Sequence, residues 1–350
     1  MTTRLERLAL SALLVIVVGL PTAVLAYYFG LYPRPAQQAR TINIVAAAPE
    51  AGGFQPDMLR IAAGEPVRLR FSVPDVTHGI AIGPGVGIDL GPVEPGHVKE
   101  VETTFDRPGR YTVYCNTWCS PYHWRMRGTI EVYDPAHPEQ LPPAGQADAV
   151  ITRLIEQGVD IDAPHPAPLA PPTERPSAVR GAAIAGEIAL PTEMNDPAWR
   201  RANSPAQAYA VLHGVAPALG VQQAWDAVAF AWLHDMTSES RTWAADQYAR
   251  NCAACHSETG DGQGLGGEAL HSLRSQGIGG HDHGQAGRPA AFADPETMLG
   301  GSSNIYYAKI RRGGMGTGMP DFGPIFTEDE VWALVNYLWT FQFDKAPLGK

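Results

Sequence analysis

The sequence predicts a multidomain chain: one N-terminal transmembrane helix, an all-β sandwich, a Pro-rich linker and an all-α domain. Three observations carry this. From Leu8 to Tyr32 no residue is charged. Short β-rich runs separated by Gly/Pro turns fill residues 41 to 134. A C-x-x-C-H motif at Cys252 is followed by helical patterning to the C-terminus. The expected boundaries are 1–40 for the anchor, 41–134 for the sandwich, 135–180 for the linker, 181–238 for a helical segment and 239–350 for the last domain.

The 350 residues are enough for two or three domains. The net charge of -10 argues against nucleic acid and favours a basic protein partner. All four cysteines lie in two short motifs, Cys115/Cys119 and Cys252/Cys255, which reads as ligands and attachment points rather than a disulfide framework.

As a helix, the uncharged N-terminal run would span about 37 Å, enough to cross a bilayer. Tyr27, Tyr28 and Tyr32 would form an interfacial belt at its outer end. Arg4 and Arg7 precede the run while Arg34 and Arg40 follow it, so charge bias does not fix orientation. A signal peptide cleaved after Val24-Leu25-Ala26 is the alternative; the length of the run favours a retained anchor. Either reading exports residues 41–350.

In the second region, Thr41–Val45, Val67–Val73, Tyr111–Tyr114 and Gly128–Tyr133 read as strands. Ala63-Gly64-Glu65-Pro66 and Arg107-Pro108-Gly109-Arg110 read as turns. An antiparallel sandwich follows. Its last two strands would be joined by residues 115–126, where two thiols, an imidazole and a thioether crowd one loop: Cys115, Cys119, His123 and Met126. Such a soft set suits copper. Two cysteines at this spacing can bridge a pair of metals, and each metal then needs one His and one weak ligand. His78, in Val76-Thr77-His78-Gly79-Ile80, is the candidate second imidazole, with His97 as competitor in an exposed Gly/Pro turn. A disulfide or a zinc clip is the alternative, but neither explains Met126.

The spacing Cys-x3-Cys-x3-His-x2-Met resembles the binuclear CuA centre of cytochrome c oxidase subunit II, found also in nitrous oxide reductases and some nitric oxide reductases. The resemblance implies a cupredoxin sandwich and a sixth ligand from a backbone carbonyl, which falls on Thr117. Many oxidases carry a Glu there that binds magnesium at the interface with subunit I; Thr117 offers no such carboxylate. The usual subunit II has two transmembrane helices, and this chain has one such run.

The linker holds Pro142-Pro143, Pro164, Pro166, Pro168 and Pro171-Pro172, and reads as an extended spacer with one short helix over Asp148–Glu156. His137 and His165 are expected to be solvated. Residues 181–238 contain Tyr209-Ala-Val-Leu, Pro217-Ala-Leu-Gly220 and Trp225-x2-Val228-x-Phe230. The same order returns in Tyr307-Ala-Lys-Ile, Pro320-Asp-Phe-Gly323 and Trp332-x2-Val335-x-Tyr337. The segment is either a degenerate, haem-free cytochrome half or a pair of unrelated amphipathic helices.

Cys252-Ala-Ala-Cys255-His256 is the signature of covalent c-type haem attachment, with His256 as proximal iron ligand. Met319, in Gly318-Met319-Pro320, is the expected sixth ligand. Met315 is flanked by glycines and less well held, and His271, His281 and His283 lie in a Gly-rich loop. The segment resembles class I cytochrome c domains. Thr327 and Glu330 have the form of a capping box opening the last helix.

Together the resemblances imply a haem-copper oxidase subunit that passes electrons from an exported donor through haem c to CuA and on to a catalytic subunit I in the membrane. The donor is expected to be a small basic cytochrome c or copper protein. The expected location is a bacterial cell membrane, single-pass, with the copper and haem domains outside. The same role in a nitric oxide reductase, or a copper-carrying assembly or sensor protein, are the alternatives.

Overall fold

The computed structural model describes residues 3–27, 39–141, 147–275, 288–314 and 318–344. Tyr28, Tyr32, Arg34, Pro142, Pro143, His281, His283, Met315 and the side chain of His271 lie outside the described residues.

Helices α1 (Arg4–Leu14) and α2 (Leu20–Ala26) run into one another through a π-turn over Val15–Gly19. The stretch Glu6–Ala26 is one apolar helix of 21 residues with no buried face. At 1.5 Å per residue it is long enough to cross the hydrocarbon core of a bilayer.

Among the described residues, nine strands follow. One sheet holds β1 (Arg40–Ala46), β2 (Phe54–Gln55), β4 (Pro66–Ser72) and β7 (Val98–Thr104), in the order β2-β1-β4-β7. The other holds β3 (Met58–Ala62), β5 (His78–Gly83), β6 (Ile88–Val93), β8 (Gly109–Tyr114) and β9 (Arg127–Tyr133), in the order β3-β9-β8-β5-β6. The strand patterns read from the sequence hold, because alternation buries one face: Val67, Leu69 and Phe71 of β4 point into the core while their neighbours do not. The sandwich is not purely antiparallel. β1 pairs parallel with β4, Ile44 opposite Phe71, and β3 pairs parallel with β9, Leu59 opposite Ile130. Between β1 and β4 the chain visits the opposite sheet as β3, so it returns in the same direction. Alternation fixes which face is buried, and says nothing about which strand lies alongside.

β5 is buried along its whole length. Its sequence, His-Gly-Ile-Ala-Ile-Gly, is accordingly an almost unbroken apolar run rather than an alternating one.

Beyond the sandwich, α3 (Ala149–Glu156) is capped by Asp148, whose carboxylate accepts from the amides of Val150 and Ile151. Then come α4 (Ala178–Glu187), α5 (Pro197–Ala202), α6 (Pro205–Val215), α7 (Val221–Leu233), α8 (Ser238–Asn251), α9 (Ala253–His256), α10 (Leu265–Ser275), α11 (Pro295–Met298), α12 (Ser303–Arg312) and α13 (Glu328–Leu338). The capping box at Thr327 and Glu330 is present, with both reciprocal hydrogen bonds.

The linker is not an extended spacer. Asp148 accepts from Tyr307 at 2.8 Å and from Arg311 at 3.0 Å, and Leu154 and Ile161 bury against Ala308. Arg312 pairs with Asp162 at 2.7 Å, and Trp225 donates to the carbonyl of Ala170 at 2.7 Å. Prolines stiffen this segment; buried side chains between them make it stick. His165 is half-buried rather than solvated, its ring edge-on to Tyr306 at 5.4 Å and its Nε2 without a hydrogen bond. His137 is exposed as expected.

The helical core is shared by residues 178–236 and the last domain: Trp225, Val228, Trp339 and Phe343 belong to one buried cluster. In the two stretches of similar sequence, Tyr209 stacks on Trp225 at 4.9 Å and 19°, and Tyr307 on Trp332 at 4.4 Å and 23°. Each pair joins the earlier helix of its stretch to the later one, α6 to α7 and α12 to α13.

Candidate metal centres

Residues 115–126 form the connection between β8 and β9. Its two ends are drawn together by the Cys115 amide, which donates to the Met126 carbonyl at 3.1 Å. Cys115 and Met126 are buried; Cys119 and His123 are half-buried. His78, the first residue of β5, is fully buried and reaches this loop from the neighbouring strand. The ligand atoms of His78, Cys115 and Cys119 all lie within 4.8 Å of one another. Cys115 Sγ is 3.9 Å from His78 Nδ1 and 3.1 Å from the carbonyl oxygen of Thr117. Cys119 Sγ is 3.5 Å from His123 Nδ1 and 3.9 Å from Met126 Sδ. All six sequence-read positions therefore converge. His97, the competitor, is exposed and turned to the carbonyl of Pro95 at 3.2 Å.

The donor set is two sulfurs, two imidazole nitrogens, a thioether and a carbonyl. Its softness fits copper, and zinc would leave Met126 without a role. A hydrogen bond between the sulfurs holds the Cys115 thiol below its ordinary value and, with burial, pushes Cys119 up to about 11. Both thiols would have to give up their protons to bind metal.

Sequence reading missed Asp75. Its carboxylate lies 2.9 Å from His78 Nε2, which leaves Nδ1 facing the sulfurs. Burial pulls the His78 pKa down; Cys119 and Asp75 oppose it and the net shift is upward. A carboxylate behind a ligating imidazole fixes its tautomer and orientation. The only sequence signal was an Asp three residues before the His.

In the helical domain, Cys252 caps the N-terminus of the single turn α9 and Cys255 lies within it. Apolar surroundings push Cys252 up to about 12, and Cys255 is also raised. Neutral thiols are the form that adds across vinyl groups to give thioether links, so the raised values are compatible with haem attachment. His256 stacks on Phe292 at 4.3 Å, and its Nδ1 lies 3.0 Å from the carbonyl of Ala290. Burial lowers its pKa, so the ring is neutral, with Nε2 free to ligate. Met319 packs on the helical core, and its carbonyl accepts from the Gly314 amide at 3.1 Å. Gly313 has φ +75, and a Cβ there would lie 2.7 Å from the Met319 carbonyl, so only glycine lets the Met-Pro turn fold this closely. The donors fit a haem held by two thioethers, one imidazole and one thioether sulfur.

Residues 244–342 match the family model of cytochrome c. The last domain is a cytochrome c domain. The two-sheet β-sandwich precedes it in the same chain. The chain is also similar to the cytochrome c oxidase subunit 2 of Thermus thermophilus, 37% identical over 83 residues, which is 23% of this chain and 59% of that one. A second subunit 2, from a particular strain of Thermus thermophilus, is 37% identical over 83 residues and 48% of its length. The chain thus matches about half the length of these relatives. Among solved structures, similar chains include one from a haem-copper terminal oxidase dimer, at 21% identity and TM-score 0.24, covering 37% of this chain and 100% of that one. The periplasmic domain of cytochrome oxidase subunit II of Bradyrhizobium japonicum is 19% identical, with TM-score 0.24, over 29% of this chain and 89% of that one.

Proposed function

We propose that this chain is the membrane-anchored subunit II of a haem-copper terminal oxidase, carrying a binuclear CuA centre in the sandwich and one haem c in the cytochrome c domain. The observation that carries the reading is the convergence of His78, Cys115 and Cys119 within 4.8 Å on a loop that also presents Thr117, His123 and Met126. When bound, the copper pair and the haem iron each supply one-electron redox chemistry at nearly fixed geometry.

The residues of the chain do the holding. Cys115 and Cys119 would bridge the two metals; His78 and His123 would each take one, with Met126 and the Thr117 carbonyl as weak ligands. Asp75 orients His78. Cys252 and Cys255 would anchor the haem, with His256 and Met319 on its two faces. Thioether ligation raises the potential relative to two imidazoles, which suits a centre that accepts electrons. With both groups bound, the cytochrome c domain would take electrons from an exported donor, and the sandwich would hand them to a catalytic subunit in the membrane. Nothing on this chain needs to transform a substrate. The likeness to cytochrome c oxidase subunit 2 and the apolar helix Glu6–Ala26 support an anchored subunit with its domains on the outer face.

We read residues 181–238 as a haem-free cytochrome half used for packing. The matching Tyr209/Trp225 and Tyr307/Trp332 stacks, joined in one core, support this.

Electron paramagnetic resonance tests the copper assignment. One unpaired electron shared over two copper nuclei is expected, and Cys119→Ser should abolish that pattern while leaving the haem absorption intact. A four-line spectrum from a single copper would sink the binuclear reading.

A further inference from the structure

Beyond the apolar packing of Ala81 and Tyr114 on the helical core, polar and aromatic contacts among the described residues join the sandwich to the cytochrome c domain close to both candidate centres. Asn116, next to Cys115, donates from Nδ2 to Asp89 Oδ2 at 3.2 Å. Arg250, two residues before Cys252, donates to the same oxygen at 3.1 Å. Arg127, next to Met126, donates from Nη1 to the carbonyl of Asp321 at 2.7 Å and to its Oδ1 at 2.8 Å, and Asp321 stands two residues after Met319. Trp118, from the middle of the copper loop, also meets the cytochrome c domain at Gly266. A Cβ at Gly266 would sit 2.6 Å from Trp118 Cζ3 and 3.0 Å from the carbonyl of Ala254, one of the two residues between the haem-motif cysteines. Only a glycine lets the indole reach the haem-binding segment.

We propose that Asp89–Arg250, Arg127–Asp321 and Trp118 form a clamp that fixes the haem-binding segment on the copper-binding loop in a single orientation. The proposal rests on the copper and haem reading above. The two ion pairs have opposite polarity. In one the acid is on the sandwich, and in the other it is on the cytochrome c domain. A half-turn of one domain on the other would set Asp89 against Asp321 and Arg127 against Arg250. Like-charge contacts of that kind reject the wrong register, while the correct one satisfies both pairs. Trp118 adds apolar contact that salt does not screen. The residues are positioning residues, since none is in either ligand set. A domain held only by its linker would sample many separations at millimolar effective concentration; a clamped one keeps a single separation between the two centres.

Charge reversal tests the clamp in the full chain, loaded with copper and haem and held in lipid discs. Pulsed dipolar paramagnetic resonance between the copper signal and the ferric haem should give one narrow distance. Asp89→Arg should broaden it, and the swap Asp89→Arg with Arg250→Asp should narrow it again. A merely destabilised sandwich would not be rescued by the swap. A narrow, unchanged distance in Asp89→Arg overturns the proposal. Hydrogen exchange on the same proteins is read without copper, so it still decides the matter should the shared copper signal be absent and the functional reading fall. Amides of 88–93 and 246–252 should exchange at least tenfold faster in Asp89→Arg, with β4 unchanged and the swap restoring protection. Unchanged exchange in both segments also overturns the clamp.

Discussion

Asp75 Oδ1 lies 2.9 Å from Nε2 of His78, a ring with no exposure to solvent. The hydrogen bond spends one ring nitrogen and aims the other at Cys115. This makes Asp75 the support of a buried ligand rather than a surface acid. Asp75→Asn keeps the shape but not the charge, and Asp75→Ala removes both. Copper affinity should fall about 10-fold or more in the alanine variant, measured by competition with a chelator of known strength. An affinity within twofold of wild type would show that His78 needs no support.

The haem domain offers a separate test. Met319→Ala should remove the weak far-red sulfur-to-iron absorption band and lower the reduction potential, since Met319 sits on a turn stiffened by Pro320. Met315→Ala should leave both unchanged. The opposite pattern would transfer the ligand role to Met315.

His165 predicts a pH effect on stability. Burial lowers its pKa to about 4, with Lys309 adding to the shift. The folded state therefore prefers the neutral ring. Its contribution is fully present above the unfolded value near 6.5 and is lost as pH falls from there toward about 4. The slope from one proton is at most about 1.4 kcal/mol per pH unit, and less here because the ring is only half-buried. His165→Gln should flatten the fall of the thermal midpoint between pH 6.5 and 4. Parallel curves for the two proteins would rule out this histidine as the cause.

Asp226 is buried at 3% exposure and gathers four donors: the Ser177 amide, two nitrogens of Arg180 and Gln222. It ties the end of the linker to α7. Asp226→Ala takes this acceptor from the buried Ser177 amide and from Gln222, and leaves Arg180 to Glu174 and the Arg175 carbonyl, at a cost of about 2–3 kcal/mol. Arg180 is half-exposed, and water would take up part of the loss. Urea unfolding followed by far-ultraviolet dichroism would measure it, and a midpoint unchanged from wild type would show the network to be dispensable.

Much of both candidate centres was legible in the sequence because most of their donors sit on short stretches of backbone. Cys115, Thr117, Cys119, His123 and Met126 occupy one loop, and Cys252, Cys255 and His256 one turn, so chain geometry alone keeps them neighbours. The strands of the sandwich and the capped last helix were readable for a similar reason: alternation and capping are local. The sequence also carried the length and apolarity of the N-terminal helix.

What lay beyond the sequence depends on contacts between distant residues. Tertiary structure placed His78 rather than His97 at the thiols, because β5 runs beside β8 and is buried throughout, while the turn holding His97 faces water. It made two strand pairs parallel, which alternation does not encode. It folded the proline-rich linker onto α12 by burying Leu154 and Ile161 and pairing Asp148 with Arg311, where composition alone suggested an open spacer. It also brought Asp89 to Arg250 and Arg127 to Asp321. Asp89 and Arg250 also have partners within their own domains, Asn116 and Asp246, but the pairs that cross between the domains form only where the two dock.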